Sequence, residues 1–281
     1  MKSNPNEKNI LELRDFGMAF GENVLFTNFD YTFDPGIYAF SGPSGVGKST
    51  VMRVIAGLET RHTGDVILNG NKLTSYSPEI HMVHQHYTSF PWLNVLKNTL
   101  MVYKGHQKEV TDADVEEAKV LLERLGLGEH MYKLPSQLSG GQDQRLSLAN
   151  AFMNKWSKVV MYDEPTSALD IANDMLIVEM IKEHQRKYNT IEIIITHEDH
   201  VVEGTGAKIL DFTPEFRLKP PKAKKTQDVV ETPKDDIPEI QLTVKSSNNP
   251  VEDKKLEEEE NLLPQEKEES FFKRMERRRK R

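Results

Sequence analysis

The chain has no cysteine. That excludes a disulfide scaffold, a thiolate metal site and a cysteine nucleophile, and fits a reducing compartment. No run approaches the roughly 18 apolar residues of a membrane span. The opening residues, MKSNPNEKNILELRDF, lack the apolar core of a secretory leader. Any action at a membrane is therefore expected to run through a partner. Positive charge is not in excess either. The formal net charge is −7, so no global basic field draws the chain to nucleic acid or anionic lipid, and no nucleic-acid partner is expected.

Glycine is absent after Phe212. Between Thr213 and Arg281 there is none, while half of the 14 prolines lie there with 17 Lys+Arg against 16 Asp+Glu. Such a stretch buries too little apolar surface to offset its ordering entropy. Residues 213–281 are expected to be a mostly disordered charged tail, with a partner that the sequence does not identify. Its end, EKEESFFKRMERRRKR, sets Phe271, Phe272 and Met275 beside seven basic residues. It reads either as a short basic helix over 265–281, for an acidic partner, a membrane surface or nucleic acid, or as a solvated tail.

Residues 1–212 read as one α/β domain. ILELRDF, GIYAFSG, DVILNG, IHMVHQ, KVVMYDE, IEIIITH and AKILDF have the composition of strands. KSTVMRVIAGL, stopped by Gly57, reads as a helix, as do QDQRLSLANAFMN and DMLIVEMIKEHQRKY. So does DADVEEAKVLLERLGL, with Thr111 or Asp112 as cap and Val115, Leu122 and Leu125 facing inward. Strands alternating with helices imply a mainly parallel sheet covered on both faces.

Three features carry chemistry. The run Gly42–Thr50, GPSGVGKST, contains G-x-x-x-x-G-K-[ST] between a strand and a helix. Gly42, Pro43, Ser44, Gly45, Val46 and Gly47 form a loop whose N–H groups can converge on phosphate oxygens, and the helix start favours anions. Lys48 would reach the β- and γ-phosphates, Ser49 would ligate Mg²⁺, and Thr50 completes the turn. Second, KVVMYDE ends an apolar strand in Asp163, suited to the Mg²⁺ shell, followed by Glu164, placed to polarise water. Third, LSGGQ stands at Leu138–Gln142, about 90 residues after Lys48 and 21 before Asp163. Its Ser139, Gly140, Gly141 and Gln142 form a second anion-binding helix start.

Together these motifs resemble the ATP-binding cassette (ABC) ATPases over roughly residues 9–212. The resemblance implies a P-loop NTPase core with a mainly parallel sheet, an N-terminal antiparallel β part and a helical signature subdomain at about 86–155. It places Gln85 at the Q-loop, SALD (Ser167–Asp170) at the D-loop and His197, 33 residues after Glu164, at the switch histidine. Phe20, 28 residues before Lys48, takes the position of an aromatic stacked on adenine, although strand-end aromatics are also common core residues. The implied cofactors are ATP and Mg²⁺. The implied catalytic set is Glu164, His197, Gln85 and Lys48, with Ser49, Gln85 and Asp163 at the metal and Asp170 at the nucleotide.

Further implications follow from the same likeness. Two cassettes, a homodimer or a pair with a second cassette, pack head to tail around two ATP molecules. A separate transmembrane permease subunit docks near Tyr87–Trp92, in a segment like the Q-loop extension of importer-type, amino-acid-like ABC ATPases; packing within the helical subdomain is the alternative for Tyr87, Phe90, Pro91 and Trp92. The protein is then cytoplasmic, peripheral on the inner face of the membrane. A soluble ABC ATPase acting on a macromolecular assembly is the competing function. A cassette that binds ATP without turnover is disfavoured by the intact Lys48, Asp163, Glu164 and His197. The chain departs from the usual pattern at Asp143 and Asn150, which puts the turnover rate in question. Asp143 would oppose a phosphate if it pointed towards one.

Overall fold

The computed structural model describes residues 9–20, 23–84, 89–167 and 171–212. The tail from 213, Gln85, Tyr87 and Asp170 lie outside the described residues, as does the side chain of Phe20.

Two sheets organise these residues. The first holds β1 (Leu11–Phe20), β2 (Asn23–Phe33), β4 (Thr63–Leu68) and β5 (Asn71–Lys72), in the order β2-β1-β4-β5 and antiparallel throughout. The second holds β6 (Ile80–Val83), β7 (Val159–Asp163), β8 (Ile191–Ile195), β3 (Gly36–Ser41) and β9 (Lys208–Asp211), in that order and parallel throughout. The DVILNG run therefore belongs to the antiparallel part.

The inward alternation of β1 shifts by one residue part-way along the strand. Leu11 and Leu13 are buried, and so are Phe16 and Met18, with a register shift between Leu13 and Phe16. An extra residue there returns the apolar side chains to one face. Asp15 absorbs the bend at φ +47°, and its N–H donates to Asp30 Oδ1 at 2.7 Å. β4 crosses at Gly64, φ +76°, where a Cβ would collide with the carbonyl oxygens of Arg14 and Asp15.

The parallel sheet is buried on both faces, which is why VVMYD and IEIII read as continuous apolar runs. Val159 and Met161 join Phe33, Phe40 and Ile193 with Met52 and Ile55 of α1 (Lys48–Ile55). Val160 and Tyr162 face a second cluster beneath α2 (Val95–Gly105), α3 (Asp112–Arg124), α4 (Gly140–Phe152) and α5 (Ile171–Tyr188). One carboxylate, Glu192 on β8, is fully buried here. His184 Nδ1 lies 2.8 Å from its Oε1, and the Thr190 hydroxyl donates at 2.5 Å. A polar group this deep in a core is kept there by hydrogen-bond partners.

Helix ends follow local chemistry. Thr111 caps α3 in a reciprocal box with Asp114. Leu122 and Leu125 are buried, while Val115 is only half-buried. α4 begins two residues before the expected Gln142, and α5 three before the expected Asp174. α2, capped by Asn94, and the short α6 (Asp199–Thr205) complete the α-helices among the described residues, beside two 3-10 turns at Gly128–His130 and Pro135–Gln137.

Candidate active site

Parallel strands deliver their C-terminal ends to one edge, and the functional groups gather there. The glycine loop leaves β3 and enters α1 at Gly47, so no side-chain cap takes up the first N–H groups of the helix. Val46, 2% exposed, anchors the loop in the core. Gly45 has φ +75° and nothing within 4 Å of a would-be Cβ. A cavity of ≈ 310 Å³ is lined by Leu25, Ser44, Gly45, Gly47, Lys48, Ser49, Thr50, Glu164, Ile195 and His197.

Lys48 is buried, and its Nζ donates to the Gly42 and Pro43 carbonyl oxygens at 2.7 and 3.0 Å. Burial pulls its ammonium below the ordinary value, against the opposite pull of Glu164 and Asp163. Ser49 Oγ donates to Asp163 Oδ1 at 3.2 Å. Asp163 pairs with Ile195 on β8, two residues before His197. His197 Nε2 lies 3.6 Å from Glu164 Oε1, with the histidine side chain 55% and the glutamate 26% exposed. His84, at the end of β6, is a neighbour that sequence reasoning passed over. Burial lowers its pKa first and Arg53 lowers it further, against Asp163.

The signature run is elsewhere. None of Ser139, Gly140, Gly141 and Gln142 lines the cavity. Ser139 caps α4: its Oγ accepts from the Gln142 N–H at 3.3 Å, and Gln142 Oε1 accepts from the Ser139 N–H at 2.9 Å. The Gln142 amide also meets His130 Nε2 at 2.9 Å. Asp143 turns towards Ser89, and burial pushes its carboxyl up. The next residue, Gln144, was not singled out from sequence, yet its Nε2 donates to the Glu164 carbonyl oxygen at 3.0 Å.

Gln85, Asp170 and Tyr87 lie outside the described residues, as does the Phe20 side chain. Of the aromatic segment, Phe90 and Trp92 are half-buried and Pro91 is exposed, the two rings 5.7 Å apart. The turn is held from below by Asn98, which is fully buried. Asn98 Oδ1 accepts from the Phe90 N–H at 2.7 Å, and its Nδ2 donates to the carbonyls of Phe90 and Leu93 at 3.1 and 2.7 Å.

A family profile described as ABC transporter matches residues 26–167, from β2 through the glycine loop and signature to the turn after Glu164. The chain belongs to the ABC transporter family. Its relatives include the spermidine/putrescine import ATP-binding protein PotA of Pasteurella multocida, 36% identical over 205 residues, covering 70% of this chain and 54% of that protein. The Fe(3+) ions import ATP-binding protein FbpC of Vibrio cholerae is 33% identical over 233 residues, covering 77% and 65%. Neither name mentions an amino acid. The chain thus spans about half the length of the PotA relatives it matches. Among solved structures, an ATP-binding cassette in a dimeric post-hydrolysis state with ADP and Pi superposes with a TM-score of 0.62 at 23% identity. That match covers 72% of this chain and 93% of that one. It establishes the fold: a P-loop ABC ATPase architecture with antiparallel and parallel sheets and a helical part.

Proposed function

We propose that this chain is the ATP-binding and ATP-hydrolysing subunit of an ABC importer, one of two cassettes that close on two ATP molecules and drive a separate membrane subunit. The observation that carries this is the meeting of Lys48, Ser49, Glu164 and His197 in the lining of one cavity at the sheet edge, with Asp163 hydrogen-bonded to Ser49. The importer relatives support the direction of transport, and their names support a small polar or ionic solute.

The loop from Gly42 to Thr50 supplies N–H donors to the phosphates. Lys48 exchanges its two carbonyl acceptors for phosphate oxygens. Ser49 Oγ and the Asp163 carboxylate are two hard oxygens side by side, and no cluster of three His, Asp or Glu forms among the described residues. This donor set fits Mg²⁺, which takes few protein ligands beside phosphate and water. When bound, the ion neutralises charge developing on the phosphates. Glu164 accepts a proton from the attacking water as the bond from the γ-phosphorus to its bridging oxygen breaks. His197, beside it, donates to the γ-phosphate, and Gln85 reports on metal and water. Phe20 stacks on adenine. Ser139, Gly140, Gly141 and Gln142 face the nucleotide of the second cassette, and Asp170 is assigned to nucleotide binding. Because the signature does not line this chain's own cavity, closure with a second copy would complete each site.

No helix among the described residues is long and apolar enough to cross a membrane. On the strength of the importer relatives we place the chain at the cytoplasmic face, held there by a permease that docks near Tyr87–Trp92. Glu164→Gln is the test. It should abolish phosphate release, about 10²-fold or more below wild type, and leave an ATP-dependent dimer by size-exclusion chromatography. Full turnover by this variant would remove Glu164 from the role. Co-purification with soluble partners alone, and no multi-span membrane protein, would replace the transporter reading by the soluble one.

A further inference from the structure

Glu164 stands in a conformation that a glutamate rarely adopts. Its φ is +52°, in the left-handed region, where a residue with a Cβ remains only if its surroundings impose the turn. Contacts from three places in the fold do so. The Glu164 N–H donates to the Ile195 carbonyl at 2.9 Å. The Glu164 carbonyl accepts from Ser167 Oγ at 3.2 Å and from Gln144 Nε2 at 3.0 Å. The first contact comes from the neighbouring strand and the second from the same turn. The third comes from a different part of the fold, the signature helix.

Gln144 is five residues past the N-cap Ser139, on the rigid hydrogen-bonded stretch of α4. It is 5% exposed, and its Oε1 has no hydrogen-bond partner among the described residues. A buried amide left half-satisfied is costly, so packing alone does not account for a glutamine here; an apolar side chain would fill the space at lower cost. Its remaining bond goes to the peptide whose rotation aims the Glu164 carboxylate. A change of φ or ψ at Glu164 swings the carboxylate across the cavity, and the Gln144 contact resists that change only while α4 is seated.

We propose that Gln144 is a positioning residue that aims Glu164 from the signature helix. The proposal rests on the reading of Glu164 as the general base. It gives the start of α4 two tasks: Ser139–Gln142 face the second cassette, and Gln144, two residues on, orients the base of its own cassette. The base is then correctly aimed only in a chain whose signature helix is in place.

The experiment uses the full chain with Mg²⁺-ATP. Gln144→Met keeps the length and removes the donor; Gln144→Glu turns the donor into an acceptor facing a carbonyl. For both, kcat should fall about ten- to a hundredfold, the range expected when a catalytic group is misplaced by an ångström or less. KM for ATP and the melting temperature of Gln144→Met should stay near wild type. The double variant Gln144→Met/Glu164→Gln should still form the ATP-dependent dimer, placing the loss in the chemical step. A kcat within twofold of wild type for Gln144→Met overturns the proposal. So does a fall in kcat matched by a rise in KM and a lower melting temperature, the mark of a packing residue. An inactive wild type, or a Glu164→Gln variant that turns over, overturns the functional reading and this inference with it; an active wild type beside an unaffected Gln144→Met overturns the inference alone.

Discussion

The sheet edge and the helical part hold their functional groups by different means. At the edge, topology does the placing. β3, β7 and β8 run parallel, so the loop after Ser41, the Asp163–Glu164 pair and His197 arrive together at one edge, and the Ser49–Asp163 and Gln144–Glu164 bonds add to a placement the strands already make. In the helical part, side chains do the placing. Ser139 and Gln142 cap one another, Asn98 ties down Phe90–Leu93, and Asp114 gathers Thr111, Tyr103 and Lys155. The edge presents one cavity that one chain can line. The helical part presents a helix start and an aromatic turn, neither of which lines that cavity. The first arrangement suits binding by a single chain and the second suits contact with another molecule.

The strongest way to break that contrast is at the edge. Asp163→Asn keeps the strand and the hydrogen bond to Ser49 but removes a charge beside the phosphates. Turnover should fall about 10²-fold or more, and half-saturation by Mg²⁺ should move to higher concentration. Fold and melting temperature should barely change, since β7 is held by its neighbours. Loss of the fold would show that the carboxylate is structural and that topology alone does not build the edge.

The contrast also explains what could be read from sequence. The glycine loop, Asp163, Glu164 and His197 stand next to apolar runs that are strands because both faces are buried, so motif and element mark one another. β2 was not separable as a strand because Asn23–Phe33 interrupts its aromatics with Asn28 and Asp30. α6 has seven residues, too few for a periodic pattern. Gln144 follows Asp143 in a polar helix start and reads as surface; its burial depends on where β7 ends in space. The His184–Glu192 pair is invisible for a like reason. Eight residues separate the two in sequence, but strand and helix bring them to 2.8 Å.

A second, smaller effect should appear in the helical part. Asn98→Ala removes the side-chain bonds to the N–H and carbonyl of Phe90 and to the carbonyl of Leu93. Stability should drop by about 1–3 kcal/mol, read by thermal denaturation. Trp92 emission, followed in a Trp156→Phe background, should shift to longer wavelength as the turn opens. ATP turnover of the isolated chain should hold, while recovery with the membrane partner should weaken. Equal loss of both would mean that the aromatic turn and the edge are one unit rather than two.

The smallest effect is one of pH. Asp114 accepts from Tyr103 Oη at 2.6 Å, from Thr111 Oγ1 at 2.7 Å and from Lys155 Nζ at 3.0 Å. The Tyr103 bond, then those of Thr111, hold its carboxyl well below the ordinary aspartate value, with Lys155 adding to them. In the other direction, burial and this carboxylate push the Tyr103 hydroxyl up to about 12. A carboxylate whose pKa is lower folded than unfolded stabilises the fold fully above its unfolded value, about 4. That contribution fades as pH falls towards the folded value. The melting-temperature gap between wild type and Asp114→Asn should therefore be flat from pH 8 to about 5 and should narrow below about 4. The gap is modest because the cluster lies near the surface, where solvent screens it. A gap that stays constant down to pH 2 would show that the Thr111 cap and the Tyr103 contact, rather than the charge, hold α2 to α3. The helical part would then rest on shape and neutral hydrogen bonds, closer to the way the sheet edge is built.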